Sequence, residues 1–388
     1  MVACPAHLVA PGMPGSFGVG GYPWRVGFNK LKGAADSGLY NVSHSAAMAS
    51  PPTVTTSTSS TLLNGLTSVQ AKWPSTNLGN LNLLGGPSFD VGSTYRSVKN
   101  ATRFTGTLEQ NTAWRNEAQI NAAKVGIQIN GNSAGINFRF LVDDVYVSLT
   151  GTAPAGASGA SYVLLDFTSV GGKASRKISI ECQDNQLWAG FFVAGTDTIA
   201  RPNGTPVRAI FAGDSFIGGS TGASIVGDGF WMVAADALGI RDAWGSGVGS
   251  TGYVATASGT RYNLGQRITD VTTSAADVVV VEMGINDLGL SGISVAARSD
   301  LLTIRNALRT AVIFVIGPWD TNAPSAPSAN QVACRDAVMA ACQGIPGVFF
   351  LDPTGVSYTK FDTTHPDTAG HATLGAWVDT QVRAVLGL

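Results

Sequence analysis

Val278-Val279-Val280-Val281-Glu282-Met283-Gly284-Ile285-Asn286-Asp287 is the stretch on which the fold turns. Four β-branched residues in a row, closed by a glycine turn, read as a short strand buried on both faces. Such a strand needs a layer on either side, and the flanking sequence supplies both. Val207–Phe211, Ala311–Ile316 and Val348–Leu351 read as further buried strands, and Phe230–Leu238, Ser294–Leu308, Ala329–Ala341 and Ala369–Val385 as helices. The alternation begins after a linker at Arg201-Pro202-Asn203-Gly204. It predicts an α/β domain over 204–388, a parallel sheet with helices on both faces. Ligands of such sheets bind beyond the carboxyl ends of the strands.

Polar strings stand where that rule wants them. Gly213-Asp214-Ser215 follows the first strand, Gly284-Ile285-Asn286-Asp287 follows the valine run, and Asp362-Thr363-Thr364-His365-Pro366 precedes the last helix. Each alone has an ordinary reading: an Asp-Ser turn, a turn Asn with a capping Asp, a surface-loop His. Together they supply a nucleophile, a base, an acid to orient the base and an amide for an oxyanion. A serine hydroxyl is a weak nucleophile until a neutral imidazole removes its proton. Asp362 would accept from the other ring nitrogen of His365 and fix its tautomer. His371 competes for the base role, but it lies inside the last helix, with no Asp at a turn's distance. An Asn amide aimed at a developing oxyanion is worth roughly 3–4 kcal/mol. The set describes an acyl-transfer site, most simply a serine esterase, without the Gly-x-Ser-x-Gly elbow of the α/β-hydrolases.

Upstream the pattern changes. In 116–203, Ile136, Phe138, Phe140 and Val142 alternate at period two, and Val145, Val147 and Leu149 continue it. Val125–Ile129, Tyr162–Phe167, Lys177–Cys182 and Leu187–Val193 are further strand candidates, separated by turns such as Asn130-Gly131-Asn132-Ser133 and the stretch 155–159. Strands with short turns and no helices predict a β-sandwich of jelly-roll type. Residues 1–115 carry no lasting period. They include the low-complexity run from Pro51 to Thr61 and read as an irregular arm or attachment region.

Composition bounds the function. Charged residues make up 13% of the 388, about half the usual share, and the formal net charge is −1. Neither nucleic acid nor an anionic membrane is an expected partner, and no run approaches the ~20 apolar residues of a membrane span. No signal-peptide pattern is visible, because the first basic residue is Arg25 and Pro5, Pro11 and Pro14 interrupt any apolar run. Cys4, Cys182, Cys334 and Cys342 read as buried free thiols. Cys334 and Cys342 stand roughly 12 Å apart along a helix, too far to bridge. Asp287, Asp320 and Asp352 do not form a metal cluster by spacing, and no cofactor is implied.

Gly213-Asp214-Ser215, a later glycine-rich string, Gly284-Ile285-Asn286-Asp287 and Asp362-Thr363-Thr364-His365-Pro366, in that order, resemble the four blocks of the SGNH (GDSL-like) hydrolase superfamily. The resemblance covers residues 206–388. It implies a flavodoxin-like α/β/α sandwich, with Ser215 as nucleophile, His365 as base and Asp362 as its orienter. It also implies an oxyanion hole made by the Ser215 N–H, a glycine N–H of the second block and the Asn286 amide. The second block is the string Gly245-Ser246-Gly247-Val248-Gly249-Ser250-Thr251-Gly252-Tyr253. Gly249, after the Val248 expected to end a strand, is the choice there, with Gly247 as the alternative. Phe216 replaces the family's usual leucine at a packing position.

A β domain ahead of such a hydrolase resembles the carbohydrate acetylesterases. That implies removal of O-acetyl groups from a sugar, an acetylated carbohydrate as partner, and aromatic cleft walls, for which Trp319, Trp244 and Tyr253 are the candidates. Trp319, in Gly317-Pro318-Trp319-Asp320, reads equally well as a packing residue. Two other expectations compete. One is a virion-borne, phage-tail protein that recognises polysaccharide, extracellular or virion-associated and forming a homo-oligomer through its N-terminal region. The other is a lipid or thioester hydrolase.

Overall fold

Ten elements build the α/β layer of the computed structural model. In chain order they are α1 (Arg25–Ser37), β1 (Arg208–Gly213), α2 (Phe230–Ala237), β2 (Asp242–Gly247), β3 (Val278–Glu282), α3 (Ile293–Ala307), β4 (Val312–Ile316), α4 (Ala329–Cys342), β5 (Val348–Leu351) and α5 (Thr368–Leu386). The structure describes residues 22–388 apart from 75, 106, 110, 111, 131–137, 157, 184 and 185. Cys4, Ile136 and the turn residues Gly131, Asn132 and Ser133 therefore lie outside the described residues.

The five strands are all parallel, in the order β2-β1-β3-β4-β5. That is the flavodoxin-like order, whose ligand crevice opens where the winding reverses, beside β1. Period-two alternation sorts each strand between two cores. Ala209, Phe211, Val278, Val280, Val312 and Phe314 face α1, α2 and α5. Ile210, Ala212, Val279, Val281, Ile313 and Val315 face α3 and α4. This explains why the strands read as continuous apolar runs: each buries both faces. The last two helices begin on side-chain caps, Ser328 accepting from the Gln331 N–H and Asp367 from the Gly370 N–H.

One helix of this layer comes from the region expected to be an irregular arm. Leu31 and Ala35 of α1 are buried in the core shared with α2 and α5. The helix presses onto the strand entries: a Cβ on Gly27 would stand 2.1 Å from the Asp277 carbonyl oxygen. Only glycine allows that approach.

Two antiparallel sheets make the second domain. One contains Thr53–Ser57, Ala160–Asp166, Lys124–Asn130, Leu187–Val193, Tyr95–Val98 and Ser88–Val91, with Val69–Lys72 paired to Leu187–Val193. The other contains Val145–Tyr146, Arg139–Val142, Ala174–Gln183, Ala113–Ala122 and Thr198–Ala200, with Asn82–Leu84 paired to Ala113–Ala122. Ile127, Val163 and Phe191 of the first sheet meet Ile120, Phe140 and Ile180 of the second in one core. The boundary expected at 115/116 is thus corrected. Residues 53–98 supply strands to both sheets, including Thr53–Ser57 inside the low-complexity run, where β-branched threonines pair with 162–166. Strands of three to five residues carry too little period to be seen beforehand.

The outer face of the second sheet meets the α/β domain through buried charges. Arg115 Nη1 lies 2.6 Å from Asp236 Oδ1 of α2, and its Nη2 lies 2.8 Å from Glu181. Arg139 donates to Glu181 at 2.7 Å and to Asp228, in the turn before α2, at 2.5 Å. His44 bridges Asp228 and Asp236 at 3.0 and 2.8 Å, and the Tyr146 hydroxyl donates to Glu181 at 3.0 Å. Burial alone would raise the Asp236 carboxyl, but Arg115 and His44 outweigh it and hold the group down at about 2.

Candidate active site

The chain turns at once after β1. The Asp214 carbonyl accepts from the Ile217 and Gly218 N–H groups at 3.3 and 2.8 Å, and Asp214 Oδ1 accepts from the Phe216 N–H at 3.0 Å. The turn leaves Ser215 at the strand end while Phe216 and Ile217 drop into the core. Gly213 is required there, since a Cβ would stand 2.7 Å from both the Glu282 carbonyl and its Oε2.

Ser215 Oγ lies 2.8 Å from His365 Nε2, and His365 Nδ1 lies 2.8 Å from Asp362 Oδ2. The spacing of Asp362 and His365 has a local cause. Asp362 Oδ1 accepts the backbone N–H groups of Thr364 and His365, each at 2.7 Å, folding four residues into an Asx-type turn. The Phe361 N–H donates to the His365 carbonyl at 2.8 Å, and the Tyr358 hydroxyl donates to the Thr364 carbonyl at 2.9 Å. The loop after Ser215 lies directly on this turn: Gly222 has φ +93°, and a Cβ there would stand 2.0 Å from the Pro366 carbonyl oxygen. The bond from His365 and the two backbone N–H groups depress the Asp362 carboxyl to about 2. An ionised Asp362 accepts from Nδ1–H, which leaves the Nε2 lone pair facing the Ser215 hydroxyl.

His371 does other work. Its Nδ1 accepts from the Phe230 N–H at 3.1 Å, and its Nε2 donates to the Thr221 carbonyl at 3.0 Å. Burial pushes it down to about 4. It is a neutral tie between α5, α2 and the Ser215 loop.

Two of the three expected oxyanion donors stand open. The N–H groups of Ser215 and Gly249 have no acceptor among the described residues. A Cβ built on Gly249 would lie 3.5 Å from Ser215 Cβ, which places this glycine against the serine. Gly247 is instead the last residue of β2, in register with Gly213. The third donor differs from expectation. Asn286 Nδ2 donates at 2.9 Å to both Asp214 Oδ2 and the Thr251 carbonyl, so both amide hydrogens are engaged within the protein. The amide reaches an oxyanion only by giving up one of these bonds.

Next to the serine two neighbouring carboxyls are buried together. Asp214 and Glu282 are fully buried, and burial pushes Asp214 up to about 7. Burial first, and the neighbouring Asp214 charge second, raise Glu282 well above the carboxylate range. A glutamate closing a valine strand buried on both faces was the signal for this pair, because such a strand has no water for a charge.

Asp287 organises the second block. Its carboxylate accepts from the N–H groups of Tyr253, Val254 and Ala255 at 2.8, 3.0 and 2.8 Å, and a Cβ on Gly252 would collide with it at 2.3 Å. Buried Arg267 ties two strand ends, donating to the Ser246 carbonyl at 3.1 Å and the Gly213 carbonyl at 2.7 Å. Neither role was readable beforehand, since each depends on a partner distant in sequence.

The three aromatic cleft walls are corrected. Trp319 is fully buried among Phe216, Phe230 and Trp377. Tyr253 is buried in the core under α3 and α4. Trp244 packs on that same core from β2, donates to Asp242 at 2.7 Å and carries Arg208 over its ring. Each apolar ring found a core to fill, which is the commoner fate of a large aromatic. The aromatic that does stand at the site is Phe361, next to Asp362 and 68% exposed. Among the described residues no group of three or more His, Cys, Asp or Glu side chains is placed to hold a metal ion.

Residues 211–373 match the GDSL-like Lipase/Acylhydrolase family. The match lies wholly within the C-terminal domain, which contains a GDSL-like segment. The matched stretch encloses Ser215, Gly249, Asn286, Asp362 and His365, so it contains the whole constellation. No curated protein matches the chain. Solved structures share the fold across both domains at low identity. The salicylyl-acyltransferase SsfX3 of a tetracycline biosynthetic pathway is 15% identical with TM-score 0.59, over 82% of this chain and 97% of its own. A family two carbohydrate esterase from Cellvibrio japonicus is 12% identical with TM-score 0.59, over 86% and 99%. The acetyl xylan esterase Est2A from Butyrivibrio proteoclasticus is 12% identical with TM-score 0.56, over 82% and 98%.

Proposed function

We propose that the protein is a serine esterase that removes O-acetyl groups from a carbohydrate through an acyl-enzyme. The observation that carries the chemistry is the continuous relay from Ser215 Oγ through His365 to Asp362, each link 2.8 Å, beside two unengaged backbone N–H groups. His365 Nε2 takes the hydroxyl proton as Ser215 Oγ bonds to the acetyl carbon. Electrons of the carbonyl move to oxygen, held by the Ser215 and Gly249 N–H groups, with Asn286 recruited as the charge develops. Collapse expels the sugar alkoxide, which leaves with the proton from His365. Water then repeats the sequence on the acetyl-serine and releases acetate. Asp362 stays ionised and stabilises the imidazolium at each stage.

The carbohydrate part of the reading is supported by the shared two-domain fold of the Cellvibrio and Butyrivibrio esterases and by exposed Phe361, which offers an apolar ring face beside the relay. The test is acetate release from acetylated polysaccharides, together with a chain-length series of p-nitrophenyl esters and Ser215→Ala as control. Turnover of acetyl esters, lost in the variant, is expected. A preference for long acyl chains replaces this reading with a lipid hydrolase.

A further inference from the structure

We propose that Arg261 receives a carboxylate of the substrate, so that the sugar ester this site takes belongs to an acidic, uronic acid-containing saccharide. The inference rests on the carbohydrate esterase reading and adds the charge of its substrate.

Arg261 stands at the catalytic mouth. Its Nη1 donates to the Gly249 carbonyl at 2.6 Å. The Cβ position of Gly249 that lies 3.5 Å from Ser215 Cβ lies 3.1 Å from this same Nη1. Guanidinium and Ser215 thus both lie against one proposed oxyanion glycine. The backbone anchors the side chain's origin, the Arg261 N–H donating to the Thr256 carbonyl at 3.0 Å.

The charge has no counterion. No carboxylate pairs with Arg261 among the described residues, unlike Arg208, Arg267, Arg335 and Arg383. Arg298 and Arg305 also lack one, but they are tied to the backbone carbonyls of Ala341, Gln343, Pro346 and Ala311 rather than to Gly249 beside Ser215. Asp287, which holds the second-block loop, is occupied with three of its backbone N–H groups. The carboxylates that flank the serine on its other sides are committed too: Asp362 to His365 and Asp214 to Asn286 and Phe216. A half-buried guanidinium fixed through Nη1 has no partner for Nη2 and Nε among the described residues, and that planar edge matches a carboxylate with two parallel hydrogen bonds. In a chain with only 24 Lys and Arg, such a cation beside the nucleophile is a specificity element rather than surface charge. The uronate carboxylate is on the same ring, or the next, as the acylated hydroxyl, so one contact orients the ester towards Ser215.

The test uses the full chain and two matched substrate sets: the mono-O-acetates of methyl glucuronoside and those of methyl glucoside, which differ only at C6. Wild type is expected to favour an acidic ester in kcat/KM by about 10- to 100-fold, the usual worth of a charge-assisted hydrogen-bond pair, mostly through KM. Half-molar salt should erode the preference. Arg261→Gln should reduce it towards unity, and Arg261→Lys should restore part of it. Equal use of the two sets by wild type, or a preference that survives in Arg261→Gln, overturns the proposal and leaves the esterase reading standing. An enzyme that turns over p-nitrophenyl acetate but neither sugar set overturns the carbohydrate reading and this proposal with it.

Discussion

The domain seam and the catalytic mouth treat polar groups in opposite ways. At the seam, Arg115, Arg139, His44, Tyr146, Asp228, Asp236 and Glu181 satisfy one another inside a buried network. At the mouth, the Ser215 and Gly249 N–H groups and one edge of Arg261 are left without partners among the described residues. A mutually paired network holds parts in place, whereas unpaired donors at a strand edge are prepared for something that arrives. In a chain with so few charges, that contrast separates scaffold from site.

The comparison breaks most severely at the nucleophile. Ser215→Ala should lower kcat for an activated acetyl ester by roughly 10⁴- to 10⁶-fold with the melting temperature preserved, as measured by p-nitrophenol release and calorimetry. Arg115→Met makes the converse cut. It leaves Glu181 and Asp236 buried short of a charge partner, so unfolding in urea should reveal a loss of about 3–5 kcal/mol.

Asp362→Asn falls next. Asp362 is 43% exposed at its side chain, so water screens its charge and the expected loss in kcat is about 10²- to 10³-fold, less than for a buried orienter. The seam also sets an acid limit. Asp236 is depressed to about 2 from 3.8, so its contribution is complete above pH 3.8 and disappears as pH falls through 2. Roughly 2–3 kcal/mol of unfolding free energy should be lost across that window, and Asp236→Asn should abolish that component of the pH dependence. Smallest of all, Phe361→Ala should raise KM for an acetylated oligosaccharide several-fold while stability moves by no more than about 0.5 kcal/mol.

What could be read beforehand follows the range of the interactions. The hydrolase strands announced themselves because burial on both faces writes continuous apolar runs at 278–281 and 312–316. Asp362 and His365 were legible because one Asx turn joins them locally. The helix α1 and the strands Thr53–Ser57 and Val69–Lys72 were not, because their partners lie more than 100 residues away, as Thr53 with Asp166, Val69 with Val193 and Gly27 with Thr310. The aromatic residues misled for a related reason. Sequence places Trp319 on a strand-end loop, but only the packing of Phe216, Phe230 and Trp377 shows that the ring points inward. Phe361 and Arg261 drew no notice because each acquires meaning only from a neighbour brought in by the fold.

The most direct test is to treat the protein with a fluorophosphonate, digest it, and locate the adduct by mass spectrometry. The relay predicts one stoichiometric adduct on Ser215, formed in step with loss of esterase activity and strongly slowed in His365→Ala. Esterase activity that persists with Ser215 fully modified, or an inactivating adduct on another residue, would contradict the account.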